Sequence, residues 1–159
     1  MTNNPSIAVL LAAYNGMEWI EEQVASILSQ KNISIEIFIS VDLSNDKTYE
    51  WCQDLARNNS YIKVLPYGER FGGAAKNFYR LIRDVDFSYF DYIALSDQDD
   101  IWDSDKLHHA ISVIEKDNLD GYSGNVTAFW SDGQERLVKK SFPQKKFDYF
   151  FEAAGPGCT

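Results

Sequence analysis

An acidic run, Asp97-Gln98-Asp99-Asp100, follows a short apolar segment at residues 92–95 and is the strongest chemical signal in the sequence. Carboxylates placed this close together repel one another unless a cation or solvent relieves the repulsion. Such oxygen ligands favour Mg²⁺ or Mn²⁺, and proteins commonly hold Mg²⁺ with one or two carboxylates plus the phosphates of a substrate. The run therefore predicts a cation site that a diphosphate would complete. The alternative is a solvated acidic loop that caps the next helix.

Two further polar side chains lie in loops that follow apolar segments. Asp42 comes directly after residues 35–41 and could accept hydrogen bonds from a base or a ribose. Its alternative role is an Asx turn with Ser44 or Asn45. Arg70 could contact a base or a phosphate, whereas its alternative role is that of a solvated surface charge. Neither residue identifies a ligand by itself.

Small residues and a tyrosine stand at two more loop positions. Ala13 and Tyr14 end the first apolar run, and Gly72 and Gly73 open a helical segment where a ligand could approach the backbone closely. The sequence has neither a G-x-G-x-x-G nor a Walker pattern, so dinucleotide-binding and P-loop proteins lack support. A Ser-His-Asp or Cys-His arrangement typical of nucleophilic catalysis is also absent from the sequence.

Apolar runs of strand length alternate along the chain with segments of helical spacing. This alternation predicts an α/β fold with a mainly parallel sheet flanked by helices. Ligands of such sheets bind at the carboxyl ends of the strands, so the polar residues above are expected to meet in one crevice. In the third helix, Ala75, Phe78 and Ile82 are expected to share one side. The predicted strands are 7–13, 35–41, 62–65, 92–95 and 126–130, and the predicted helices are 18–29, 48–58, 74–85 and one that begins near Asp103 or Ser104.

The composition suits a single domain and excludes several classes of protein. The chain has 159 residues, 45% of them hydrophobic, and a net charge of −9. Nonspecific nucleic-acid binding needs many basic residues, so no nucleic-acid partner is expected. Cys52 and Cys158 lie far apart, and the adjacent His108 and His109 cannot readily share a metal, which leaves no zinc pattern. Without a signal peptide or an apolar stretch of about 20 residues, a cytoplasmic protein is expected.

Four segments, taken in order, resemble the family-2 glycosyltransferases. IAVLLAAYNG is similar to the first strand and loop of that family, and VDLSND to its D-D-x-S-x-D segment. GGAAKN is similar to its G-x-x-x-A-R-N segment, and SDQDDIWDSDKL to its D-x-D strand end and the helix that follows. The SDQDDIW form looks most like bacterial rhamnosyltransferases that build cell-surface polysaccharides. The order of the four segments is far more specific than any one of them.

The resemblance implies a GT-A, Rossmann-like fold and an inverting enzyme that uses a nucleoside-diphosphate sugar, with dTDP-rhamnose as a candidate, and Mg²⁺ or Mn²⁺. Tyr14 and Asp42 would contact the base. Asp97 would contact the ribose or diphosphate, and Asp99 would hold the cation. The donor-binding residues implied in this way are Ala13, Tyr14, Asp42, Arg70, Gly72 and Asp97.

Two positions depart from the family pattern. Val41 stands where the first Asp of the usual D-D pair is found, and Lys76 replaces a common Arg, which keeps the charge but loses the bidentate fork. The turn-forming residues 153–159 also follow an aromatic stretch at 147–151, which predicts a truncated chain, and the resemblance implies that residues 1–159 form the donor-binding part of an enzyme with a following acceptor-binding half. The catalytic base would then lie in that half, and Asp100 is the only local candidate for it.

The expected partners are a nucleoside-diphosphate sugar and a glycan or lipid-linked acceptor, with the full-length enzyme at the inner face of the membrane. Two alternatives stay open at this point. One is a noncatalytic nucleotide- or sugar-binding module. The other is a sugar nucleotidyltransferase, although this class normally carries a glycine-rich basic phosphate loop that Gly72-Gly73 matches poorly.

Overall fold

The structure, a computed structural model, describes residues 4–139, and the chain divides into two compact units with the boundary between residues 108 and 109. The first unit contains four strands, β1 (Ser6–Ala13), β2 (Ser34–Val41), β3 (Ile62–Val64) and β4 (Tyr92–Ser96). Its helices are α1 (Ile20–Leu28), α2 (Thr48–Asn58) and α3 (Ala74–Asp84), and α4 (Lys106–Asp117) follows β4. Within residues 4–139, no helix combines the length and the apolar character that a membrane crossing requires.

The four strands form one sheet in the order β3-β2-β1-β4, and every neighbouring pair is parallel. The predicted α/β fold with a mainly parallel sheet is therefore confirmed. Residues 7–13 of β1 are all buried, as expected for a central strand that is covered on both faces. The chain order reverses between β1 and β4, and this reversal makes a crevice at their carboxyl ends, where ligands of such folds bind.

Helix α3 turns a different face to the interior from the one that its apolar spacing predicts. Phe78 is buried as expected, but Ala75 is exposed and Ile82 is 45% exposed. The polar Asn77 and Arg80 are buried instead, with 2% and 6% of their surface exposed. The prediction was wrong because it considered apolar contacts alone, whereas Asn77 of α3 donates hydrogen bonds to the carbonyl oxygens of Ala13 and Ser40 at the ends of β1 and β2.

The second unit contains a hairpin of β5 (Val126–Phe129) and β6 (Glu135–Val138), which pair with each other in an antiparallel two-stranded sheet. The strand predicted at 126–130 therefore exists, but it is not a further parallel strand, and β6 was not predicted. The turn between them has Gly133 at a φ of 83°, with its N–H 2.9 Å from the carbonyl oxygen of Trp130. Asp132-Gly133 is a hairpin signal of the kind that favours this turn.

Candidate functional site: a cleft at the carboxyl ends of the strands

A cleft of about 500 Å³ opens at the carboxyl ends of the strands of the first unit. Its size lies within the range of roughly 300–1,000 Å³ that is typical of small-molecule sites. Each loop that the sequence singled out contributes to its walls. All seven residues predicted for the donor and the cation line it: Ala13, Tyr14, Asp42, Arg70, Gly72, Asp97 and Asp99. Asp100, the candidate base, is not among the lining residues.

Asp42 is buried at the end of β2, with 4% of its surface exposed, and its carboxylate accepts hydrogen bonds from three backbone N–H groups. Oδ1 lies 2.7 Å from the nitrogen of Leu43 and 2.8 Å from that of Phe71, and Oδ2 lies 2.9 Å from that of Gly72. Burial alone would raise the pKa of this carboxyl, but these donors together hold the pKa below its ordinary value of 3.8. Asp42 is therefore an ionised carboxylate that fixes the loop before α3.

The Asx turn considered for Asp42 is not the observed arrangement. Its carboxylate bonds to the N–H of the next residue and to a loop 29 and 30 residues further along the chain. Ser44 contacts Asp42 only through a hydrogen bond from its Oγ to the Asp42 carbonyl oxygen. The carboxylate therefore joins the end of β2 to the loop before α3 and does not close a local turn.

Arg80 also holds the loop before α3, and no sequence pattern pointed to this residue. Its guanidinium donates to Ser40 Oγ at 3.1 Å and to the carbonyl oxygen of Pro66, and it lies 5.0 Å from the centre of the Phe71 ring. An ion pair with Asp84 at 3.5 Å satisfies the buried charge. The loop that carries Arg70 is thus tied to the protein near both of its ends. Arg80 lies on the side of α3 opposite the predicted apolar residues, so the sequence carried no signal for this role.

Asn77 was also missed, although it lines the cleft. Its Nδ2 donates to the carbonyl oxygens of Ser40 at 2.9 Å and Ala13 at 3.3 Å, and Ser40 Oγ donates to its Oδ1. These carbonyl groups lie at the ends of β1 and β2, and that of Ala13 also accepts a hydrogen bond from the N–H of Asp42 at 2.8 Å, so Asn77 ties both strand ends to α3. The side chain therefore shapes the floor of the cleft.

The loop after β1 is crosslinked to the loop after β2. The N–H of Asn15, a residue with a φ of 46°, donates to Ser44 Oγ at 3.0 Å, and its Oδ1 accepts from the N–H of Asn45 at 2.9 Å. The N–H of Gly16 donates to Thr48 Oγ1 at 2.8 Å. These bonds hold Tyr14 at the rim, where 49% of its surface is exposed and its ring is available to a ligand.

The acidic run forms another wall of the cleft. It begins after Ser96, which is fully buried, accepts a hydrogen bond from Gln23 Nε2 at 2.6 Å and donates to the carbonyl oxygen of Asp97 at 2.9 Å. Asp97 is half-buried and Asp99 is exposed. The base of the acidic run is thus fixed to α1, while the carboxylate at its tip is open to solvent.

The donor set of the cleft suits a cation that is shared with a ligand. Within residues 4–139, no group of three or more His, Cys, Asp or Glu side chains is arranged to hold a metal ion by itself. Three carboxylates line the cleft; that of Asp42 is held by backbone N–H groups, which leaves those of Asp97 and Asp99 as the candidate ligands. Hard oxygen ligands in this number fit Mg²⁺ or Mn²⁺ that completes its coordination with phosphate and water, and they do not fit a zinc site made of protein ligands.

The sequence profile described as glycosyl transferase family 2 matches residues 8–155, so the chain belongs to this family. Among curated proteins, the dTDP-rhamnosyl transferase RfbG of Shigella flexneri is 53% identical over 150 residues, which are 94% of this chain and 52% of that protein. The UDP-Glc:alpha-D-GlcNAc-diphosphoundecaprenol beta-1,3-glucosyltransferase WfgD of Escherichia coli is 27% identical over 96% of this chain and 57% of its own length. The chain thus spans about half the length of these relatives.

A solved structure supports the fold. The crystal structure of S. aureus TarS 1-349 in complex with UDP-GlcNAc matches with a TM-score of 0.59 and 22% sequence identity, over 70% of this chain and 31% of that chain. The likeness identifies the sheet and its flanking helices as the GT-A type of fold, as the sequence resemblance implied.

Proposed function

We propose that the cleft binds a nucleoside-diphosphate sugar, with dTDP-rhamnose as the donor, and that the protein transfers the sugar with inversion to a glycan or lipid-linked acceptor during the synthesis of a cell-surface polysaccharide. One observation supports this proposal above all others. The seven residues chosen from sequence for the donor and the cation come from four separate loops, and all of them line a single cleft at the reversal of strand order.

The nucleoside side of the site consists of Tyr14 and Asp42. The half-exposed ring of Tyr14 offers a face on which a base can stack. The Asp42 carboxylate, held in place and ionised, can accept a hydrogen bond from a ring N–H of thymine or uracil. A buried acceptor of this kind discriminates against a base that lacks the matching donor, because the carboxylate would then lose its solvent without gaining a partner.

The diphosphate side combines backbone and charged groups. Gly72, at a φ of 72°, leads into α3, whose first turn has no side-chain cap and borders the cleft through Ala74. Free N–H groups at the start of a helix favour phosphate oxygens. Arg70 adds a positive charge, and Asp97 and Asp99 would hold Mg²⁺ or Mn²⁺. When bound, such a cation neutralises the negative charge that develops on the leaving diphosphate.

Two relatives of this chain support the choice of donor and acceptor. RfbG, which shares 53% of its aligned residues with this chain, is named as a dTDP-rhamnosyl transferase. WfgD is named as a glucosyltransferase whose acceptor is a sugar linked to the lipid diphosphoundecaprenol. A lipid-linked acceptor would bring the enzyme to the inner face of the membrane. The acceptor hydroxyl must lose a proton during inverting transfer, and Asp100 stays a prediction for the base.

Calorimetric titration of the 159-residue chain with dTDP, UDP and GDP, each with and without Mn²⁺, tests this proposal. We expect dTDP to bind most tightly and Mn²⁺ to increase its affinity by roughly tenfold or more, which corresponds to at least about 1.4 kcal/mol. Tighter binding of UDP or GDP would overturn the choice of donor. The lack of detectable binding for all three nucleotides would overturn the proposed function.

A further inference from the structure

The middle residue of the acidic run connects two walls of the cleft. Gln98 stands between Asp97 and Asp99, and its side-chain amide pairs with the backbone of Tyr14 at both ends. The N–H of Tyr14 lies 2.8 Å from Gln98 Oε1, and Gln98 Nε2 lies 3.0 Å from the carbonyl oxygen of Tyr14. We call this reciprocal pair the Gln98 latch.

The latch continues the sheet beyond the point where its strands stop pairing. Regular pairing of β1 with β4 ends at Leu11 and Ser96, and the chains then diverge into their loops. The Gln98 amide uses one donor and one acceptor on the same residue of the neighbouring loop, as a strand partner would. The backbone position of Tyr14 is therefore tied to the conformation of the segment that carries Asp97 and Asp99.

Gly16 leaves the space that the latch needs. A Cβ atom on Gly16 would lie 2.7 Å from Gln98 Cδ and would overlap Oε1 as well. Gly16 has no positive φ, so alanine can adopt its backbone conformation, and the contact concerns the end of a flexible side chain. Gly16→Ala is thus expected to displace the Gln98 amide without altering Gln98 itself.

We infer that Gln98 is a positioning residue that couples nucleoside binding at Tyr14 to cation binding at Asp97 and Asp99. This inference rests on the proposed function. A cation that fixes the two carboxylates also fixes the residue between them, and the latch transmits this constraint to the Tyr14 backbone. Linkage makes the effect reciprocal, so a bound nucleoside favours the cation by the same factor.

A nucleoside without phosphates isolates this coupling, because it has no oxygen that can bridge to the cation at the diphosphate position. The probe is the parent nucleoside of the diphosphate that binds most tightly in the panel above: thymidine for dTDP, uridine for UDP or guanosine for GDP. Its affinity is measured without Mg²⁺ and with Mg²⁺ in large excess, so that the cation binds Asp97 and Asp99 with water in the positions that the diphosphate would fill. If the role of Gln98 were purely structural, replacing it would weaken nucleoside binding by the same factor with and without Mg²⁺.

Wild-type protein is compared with Gln98→Ala, Gly16→Ala and the double variant. In wild type we expect Mg²⁺ to tighten nucleoside binding by roughly tenfold, within the range of about 5- to 150-fold that is usual for coupled sites. In each single variant the effect of Mg²⁺ should fall below about twofold, and the double variant should resemble either single variant, because both substitutions break the same latch. Thermal unfolding verifies that each variant is folded.

Two substitutions outside the cleft serve as matched controls. Gln134→Ala removes a side-chain amide that also makes a hydrogen bond, to Asp132 Oδ2 at 2.8 Å. Gly121→Ala adds a Cβ that meets nothing within 4 Å. Both should retain the wild-type effect of Mg²⁺. The coupling would be overturned if Gln98→Ala kept the full effect of Mg²⁺ on nucleoside affinity. It would also be overturned if Gln98→Ala and Gly16→Ala each reduced this effect and the reductions added in the double variant.

The outcomes also separate this inference from the proposed function. Mg²⁺ could tighten the binding of a nucleoside diphosphate to wild type and yet leave the affinity for the nucleoside unchanged. This result would overturn the coupling and leave the proposed function standing. The absence of any nucleoside diphosphate binding to wild type would overturn the proposed function, and the coupling with it.

Discussion

Replacing Asp42 with asparagine should weaken nucleoside diphosphate binding by about 1–3 kcal/mol, or roughly 5- to 150-fold, whether or not a cation is present. The asparagine keeps the size of the side chain but sets an NH₂ group against the N–H of Gly72 or of Phe71. The loop before α3 would then lose part of its attachment, and the ligand would lose a charged acceptor. Isothermal titration gives the affinity.

The same substitution should remove a pH-dependent part of the stability. Because the pKa of Asp42 in the folded protein is below its ordinary value of 3.8, its contribution is fully present above that pH and is lost as the pH falls through the folded-state pKa. The difference in unfolding free energy between wild type and Asp42→Asn should therefore be constant near neutral pH and shrink in acid below 3.8. Denaturant unfolding at several pH values measures it.

Asp86→Asn is the matched control for Asp42→Asn. Asp86 also accepts a hydrogen bond from a backbone N–H, that of Ser88 at 3.0 Å, but it lies on the exposed surface away from the cleft. Its substitution should leave nucleotide affinity unchanged. An unchanged nucleotide affinity in Asp42→Asn would contradict the role of Asp42 in the site.

Asp99→Ala should abolish the metal-dependent part of nucleotide affinity and leave the fold intact. Asp99 is exposed at the tip of the acidic run, so its removal should not disturb the core. Its carboxylate is one of the two proposed cation ligands, and a shared cation that loses one of only two protein ligands is held too weakly to matter. Titration of dTDP into the variant should give the same affinity with and without Mn²⁺.

Asp105→Ala controls for the loss of one negative charge near the same segment. Asp105 is exposed and does not line the cleft, so this variant should keep the wild-type response to Mn²⁺. An Asp99→Ala variant that binds dTDP as tightly as wild type in Mn²⁺ would show that the cation is held elsewhere or is not required.

The strands and the site residues could be predicted because both depend on short stretches of sequence. An uninterrupted apolar run as short as 7–13, bounded by Pro5 and Asn15-Gly16, is typical of a covered strand, and a parallel sheet brings the residues after its strands to one edge. Tyr14, Asp42 and Asp99 could therefore be assigned to a common crevice without knowledge of any contact.

The contacts that hold the cleft together could not be predicted, because their partners are far apart in the chain. Gln98 pairs with a residue 84 positions away, and Asn77 and Arg80 bond to Ser40 at separations of 37 and 40. Apolar spacing alone placed Ile82 on the buried side of α3. The hydrogen bonds of Asn77 and Arg80 to the strand ends, which accompany the burial of the other side of α3, are visible only once the sheet is built.

Chemical-shift mapping with dTDP and Mg²⁺ on ¹⁵N-labelled protein tests the central claim most directly, since it locates the ligand on the molecule. The amide resonances of Tyr14, Gly72 and Asp99 should shift and saturate together, because all three residues line one cleft. The resonances of exposed residues in the same unit that do not line the cleft, such as Arg57 and Tyr89, should stay in place. Saturable shifts confined to residues outside the cleft, or no shifts at any dTDP concentration, would contradict the assignment of this cleft as the donor site.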